Sequence, residues 1–265
     1  PDPRIQDKYL AKGEDTFLTL IHEIGHAVGL DHPFDGTFKE TASPGKSFQN
    51  TVMSYHIYSS TESSLGVYKD IDGGSMGYYP QTWMIDDIAA LQYMYGKNEQ
   101  TNRENNTYDV TNLSNNSISD GIIYQTIWDA AGNDTISWED QTTVCTINLN
   151  PGTHSFFGEI TSIADTDFSS GQDSLGVGDG ILGIAHGCDI ENAYGGKAAD
   201  VIFGNALGNI LYGGKGSNIL DTLTGGDGAD VFQINAATDG TSVIKADSGP
   251  AENTQWGIEF TTERF

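Results

Sequence analysis

The chain has 265 residues, with 37 acidic against 12 basic side chains and a formal net charge of -25. Such a charge repels nucleic acid and anionic membrane, and no stretch is long and apolar enough to cross a bilayer, so neither nucleic-acid binding nor membrane insertion is expected. The other bias is glycine: of 33 residues, 16 lie between Gly171 and Gly228, which means either disorder or turn-rich repeats; the acidity beside it points to Ca²⁺, each ion of which removes two units of charge, with a simple solubility or salt adaptation as the alternative.

The chain opens at Pro1 without a methionine or a signal peptide, which reads as a processed or truncated piece. The first predicted helix runs from Thr16 to Val28, with Phe17, Leu20, Ile21, Ile24, Ala27 and Val28 at helical spacing. Glu14 and Asp15 stand where carboxylates favour the helix dipole, Asp15 is the expected N-cap, and Gly29 stands where a left-handed residue ends the helix. Residues 33–80 read as loops around a site. A second helix is predicted over Trp83–Tyr95, with Met84, Ile85, Ile88, Leu91, Met94 and Tyr95 on its apolar face and Gly96 at its end.

From Thr107 onward short β-prone runs alternate with turns: Ile122–Tyr124, Thr135–Trp138 and Val144–Leu149. Units of nine residues then open at Gly195, Gly204 and Gly213, and a fourth opens three residues out of phase at Gly225. Beyond Ala236 the pattern fades. Cys145 and Cys188 lack CxxC spacing, which excludes a zinc ribbon; a disulfide and two buried thiols both stay open.

The strongest signal is His22-Glu23-Ile24-Gly25-His26-Ala27-Val28-Gly29-Leu30-Asp31-His32. His22 and His26, four residues apart, project from one helix face and can hold one Zn²⁺. Gly29 lets the chain leave the helix sharply, so that His32 swings back as a third ligand and one coordination position stays open for water. Glu23 follows the first ligand and is the candidate general base. His56, His154 and His186 match no ligand spacing and read as ordinary histidines.

The HExxHxxGxxH pattern is similar to the zinc signature of the metzincin proteases. Met53-Ser54-Tyr55 resembles the Met-turn of their serralysin branch. The resemblance implies Met53 as an apolar floor beneath the ligands, and Tyr55 as a distant or fifth zinc ligand that swings away to hydrogen-bond the transition state. Met84 to Gln92 with Tyr95-Gly96 resembles the serralysin helix that follows, and is given a structural role.

The repeats resemble the RTX nonapeptide GGxGxDxUx, which implies a parallel β-roll with Ca²⁺ between its turns. Ile202, Leu211, Leu220 and Phe232 fit the inward position, and position six reads Asp200, Asn209, Asn218 and Asp230. Asparagine lacks the charge, so those turns are expected to bind calcium weakly or not at all. The resemblance gives calcium ligands at Gly196, Ala198, Asp200, Gly213, Gly216, Asn218, Gly226, Gly228 and Asp230. Arg103, Asn105 and Thr107 resemble a linker loop that binds calcium through its carbonyls. Asp129, Ala131, Gly132 and Asp134 resemble the loop that completes that site, and Asp189 with Glu191 the run into the first repeat.

The expected fold class is α+β: the C-terminal part of a metzincin-type catalytic domain over 1–98, then an RTX β-roll or β-sandwich over 99–265. The expected function is that of a secreted, extracellular zinc endopeptidase acting on polypeptides and stabilised by calcium; the resemblance implies a bacterial source and type I-like export. The alternative is a calcium-binding fragment without peptidase activity of its own. Only 21 residues precede His22, too few for the sheet that metzincins place there. A missing N-terminal fragment or a proteinaceous inhibitor is therefore an expected partner.

Overall fold

The structure is a computed structural model and describes residues 10–33, 48–55, 67–71, 74–110, 123–158, 180–234, 239–245 and 257–260. His56 lies outside this set. The chain divides into two units, one of residues 1–97, 114–127 and 159–186, the other of residues 98–113, 128–158 and 187–265. The division is thus not a single cut in the sequence.

In the first unit, helix α1 spans Asp15–Ala27 and buries Leu18, Ile21, His22 and Gly25. Its N-cap is Glu14, not Asp15, because Leu18 N–H already bonds Glu14 O at 3.0 Å. Asp15 falls in the first turn, where its charge still complements the dipole. The C-terminus closes as a Schellman motif: Leu30 N–H reaches Gly25 O at 2.9 Å and Gly29 N–H reaches His26 O at 3.1 Å. Gly29 takes φ +96°, which glycine adopts at little cost.

Strands β1 (Val67–Ile71) and β2 (Gly74–Tyr78) pair antiparallel within the region read as loops. The overlooked signal is Asp72-Gly73 between them, a hairpin dipeptide. Helix α2 spans Ile85–Tyr95, with Met84 as N-cap, and Gly96 follows it at φ +83°. Met84 and Ile85 are buried, but Met94 and Tyr95, expected on the apolar face, are exposed. Strands β4 (Ile123–Ile127) and β8 (Gly180–Ile184) pair in parallel and belong to this unit. They hold the entry to α2: Gln81 N–H bonds Tyr124 O at 2.8 Å and Thr126 N–H bonds Thr82 Oγ1 at 2.8 Å.

The second unit contains β3 (Thr107–Asp109), β5 (Thr135–Ser137), β6 (Cys145–Asn148), β7 (His154–Phe157), β9 (Asn192–Tyr194), β10 (Val201–Phe203), β11 (Ile210–Tyr212), β12 (Gly216–Thr224), β13 (Val231–Ile234), β14 (Asp239–Lys245) and β15 (Gly257–Phe260). One parallel sheet runs β15-β13-β11-β9-β5-β3. In the other, β14-β12-β10-β6 are parallel and β7 closes antiparallel on β6. From β9 to β15 successive strands alternate between the sheets, so each nine-residue unit supplies one turn and one strand. The strands β14 and β15 continue this alternation past the point where the sequence pattern fades.

The register corrects one reading. Val201 pairs with Thr222, and Ile202 with Leu223. The inward residue of the third unit is therefore Leu223, fully buried, and not Leu220, which is 53% exposed. By the same pairing the residue matching Asp200 is Asp221, not Asn218. The three extra residues lie within the third unit, ahead of Thr222; β12 shows a register shift against β14 between Gly216 and Leu220, and the strands beyond resume their pairing. Ile202, Leu211, Leu223 and Phe232 are all fully buried, each contributing about 1.5–3 kcal/mol of apolar burial.

Candidate metal centre

Helix α1 presents His22 and His26 on one face, and the Schellman turn brings His32 back to them. His32 Nε2 lies 3.2 Å from His22 Nε2 and 3.1 Å from His26 Nε2. Four ligands at about 2.05 Å around a tetrahedral Zn²⁺ stand about 3.3 Å apart, close to these separations. The opposite ring nitrogens are committed. His22 Nδ1 is 2.8 Å from Val52 O, and His26 Nδ1 is 2.9 Å from Leu30 O. A carbonyl can only accept, so both Nδ1 atoms carry the hydrogen and both Nε2 atoms offer lone pairs. His32 Nε2 faces both of these lone pairs, and three imidazole nitrogens at these separations match the spacing of ligands around one ion, so the donor set fits a metal ion. Among the described residues this is the one set of three histidine, cysteine or acidic side chains with ligand atoms all within 4.8 Å.

Tyr55 Oη stands 2.6 Å from the same His32 nitrogen, and its ring stacks on His22 with centroids 5.2 Å apart. The phenol is 55% exposed, and Glu23, next to His22 on the helix, is exposed as well. Met53 is buried against Gly25: a Cβ at position 25 would collide with its Sδ and press Trp83 at 3.3 Å. Glycine inside the motif is what lets the methionine close the floor.

One residue of this centre escaped the sequence. Asp87 on α2 is buried, and its carboxylate accepts three hydrogen bonds: Thr51 Oγ1 at 2.6 Å, Val52 N at 2.8 Å and Met84 N at 2.9 Å. It thereby fixes the residue whose carbonyl orients His22. Burial pushes its carboxyl up to about 6, against the pull of those three donors. In the sequence it stood only as one residue of the Met84–Gln92 helix, with no role of its own.

The expected calcium residues fall in two groups. In the linker, Asp129 and Asp134 are buried. Asp129 accepts Tyr108 Oη at 2.6 Å, and Asp134 Oδ1 accepts Asn106 N at 2.7 Å. Glu191 Oε2 accepts Asp134 N at 2.7 Å. Asp134 Oδ2 is buried with no hydrogen-bond partner. Burial, with the Asp129 and Glu191 charges adding, pushes Asp134 up to about 6. An orphaned oxygen among carboxylates fits a cation. Arg103, Asn105, Thr107, Ala131, Gly132 and Asp189 are exposed around it.

In the repeats, Asp200 is buried and accepts Gly196 N at 2.6 Å and Cys145 N at 2.7 Å. Asp221 Oδ1 accepts Asp200 N at 3.0 Å. Burial, then the neighbouring Asp221, raises Asp200 to about 6. Gly213 packs on Asp221, Ala198 is half-buried, and Gly226 and Gly228 lead to the buried Asp230. Gly216 opens β12, which also carries Asn218. Cys145 and Cys188 are both buried and unbridged.

Residues 87–248 match the family model described as Peptidase M10 serralysin C terminal. The chain belongs to the serralysin family. Metalloprotease AprA of Pseudomonas entomophila is 34% identical over 206 residues, 73% of this chain and 37% of that protein. Serralysin C of Dickeya chrysanthemi is 33% identical over 197 residues, 69% of this chain and 35% of that protein. A serralysin of Photorhabdus luminescens is 30% identical over 200 residues. The chain thus spans little more than a third of the length of these curated relatives. The serralysin C-terminal match begins at Asp87, so the three histidines precede it. Among the described residues no helix is long and apolar enough to cross a membrane.

Proposed function

We propose that this chain carries the zinc-binding part of an extracellular endopeptidase, joined to a calcium-binding repeat region. The observation that carries the reading is the convergence of the His22, His26 and His32 Nε2 atoms, with the first two rings locked from behind by carbonyls. When bound, Zn²⁺ supplies Lewis-acid polarisation of the scissile carbonyl and lowers the pKa of water. Glu23, exposed beside His22, takes a proton from the attacking water and delivers it to the amine as the C–N bond breaks. Tyr55 turns its hydroxyl from His32 towards the developing oxyanion, where a hydrogen bond is stronger than to the ground-state carbonyl. Asp87 and Met53 hold the frame. Asp129, Asp134, Asp189 and Glu191, with the repeat carboxylates, bind Ca²⁺, and calcium stabilises the fold by binding the native state alone.

The deciding experiment measures zinc content and casein hydrolysis of the full chain, with and without a chelator. Glu23→Ala should keep one zinc and lose hydrolysis; an unchanged rate removes Glu23 from its role. A second reading rests on chain length: this chain covers 37% of a relative such as AprA. If it binds zinc and calcium yet cleaves nothing, it is a metal-binding portion that needs further chain for turnover.

A further inference from the structure

Four repeat turns precede strands of the second unit, and three of them place an aspartate at the last turn position: Asp200, Asp221 and Asp230. The fourth, residues 204–209, places Asn209 there and Asn205 where the others have glycine. Both asparagines are buried. Their hydrogen bonds differ in kind from those of the aspartates.

Asp200 only accepts. Asn209 accepts Asn205 N at 2.8 Å through its oxygen, as Asp200 accepts Gly196 N, but its Nδ2 donates to Glu191 O at 2.9 Å and to Asn205 Oδ1 at 3.0 Å. Asn205 Nδ2 donates to Leu149 O at 3.1 Å and Ile190 O at 2.8 Å. Asn205 Oδ1 also accepts Leu207 N at 3.0 Å. Three backbone carbonyls that could have ligated a hard cation, those of Leu149, Ile190 and Glu191, are thus filled by amide hydrogens. An amide NH₂ directed at a carbonyl presents positive hydrogen where Ca²⁺ would need a free oxygen.

We propose that the 204–209 turn is closed by its own amides and takes no calcium. It acts as a metal-independent rung that ties the second repeat to Leu149 and to the segment carrying Glu191. The proposal rests on the reading that calcium binds the linker and the acidic turns. It adds that the roll is held at this level whether or not calcium is present, while the acidic turns await the ion.

The test is calcium titration calorimetry of the full chain, with thermal unfolding in excess EGTA and in saturating CaCl₂. Asn209→Ala should leave the number of bound ions unchanged and lower Tm by about 4 °C or more in EGTA as well as in calcium. The double variant Asn205→Gly/Asn209→Asp, which rebuilds a glycine-aspartate turn, should bind one additional ion and lose Tm in EGTA. One ion fewer in Asn209→Ala, an unchanged count in the double variant, or an unmoved Tm in EGTA overturns the proposal. If Asn209→Ala does not fold in EGTA, Asn205→Ala takes its place, since it removes the donors to Leu149 O and Ile190 O without adding a carboxylate. Wild type that binds no calcium at all sinks the broader calcium reading, and the rung is then judged by the EGTA measurement alone.

Discussion

Replacing Asp87 by alanine should loosen the proposed zinc centre from a distance. The substitution leaves Val52 N–H and Met84 N–H buried without their acceptor, and Thr51 without its carboxylate partner. Each orphaned buried donor costs about 1–3 kcal/mol. Against this, burial pushes Asp87 up to about 6, so ionising it in the folded chain is itself unfavourable, and removing the charge recovers part of the loss. The net expectation is about 2–4 kcal/mol of destabilisation. Because Val52 O orients His22, zinc affinity should also fall about 10–100-fold, as for lost outer-shell partners elsewhere. Asp87→Asn keeps an oxygen for the two backbone donors and should cost only about 1 kcal/mol. Chelator competition and thermal unfolding of the three proteins measure both quantities. Asp87→Ala with wild-type zinc affinity and wild-type Tm would refute the chain of contacts from Asp87 through Val52 to His22.

Four further outcomes follow from the packing and charge. Leu223→Ala should cost about 2–5 kcal/mol by denaturant unfolding and Leu220→Ala less than about 1; equal effects would contradict the register. Gly25→Ala should force Met53 aside and weaken zinc binding, measured by competition, with Gly25→Ala/Met53→Ala recovering part of the loss. In EGTA, the raised carboxyls of Asp134 and Asp200 bind protons more tightly folded than unfolded. Their stabilising contribution is therefore full below about pH 4 and lost as pH rises through about 6, so the calcium-free Tm should be higher at pH 5 than at pH 8, and saturating calcium should abolish that order. Burial pushes Cys188 up to about 12 and raises Cys145 as well. Native protein should therefore leave Ellman's reagent uncoloured at pH 8, while unfolded protein releases two thiols; rapid native reaction would place one thiol at the surface.

The convergence of His22, His26 and His32 was legible because helix geometry sets a four-residue spacing onto one face, and Gly29 marks where the chain must turn. Asp87 was not, since a buried acceptor and a surface acid at a helix start are the same letter; only the positions of Thr51 and Val52 distinguish them. The repeat was read with a strict nine-residue count, which chose Leu220 and Asn218. Strand pairing chose Leu223 and Asp221, because inward burial, not sequence distance, sets the register. The linker carboxylates were found by resemblance, but the amide hydrogens of Asn205 and Asn209 could only be seen once their carbonyl partners were in place.

The third turn carries its three surplus residues without disturbing Leu223 or Phe232. Such a scaffold keeps its pitch through ladders and buried stacks, and leaves the outer bends open to lengthening. A short peptide epitope inserted at the register shift between Gly216 and Leu220 should leave the pairing of Thr222 to Thr224 with the neighbouring strand unbroken.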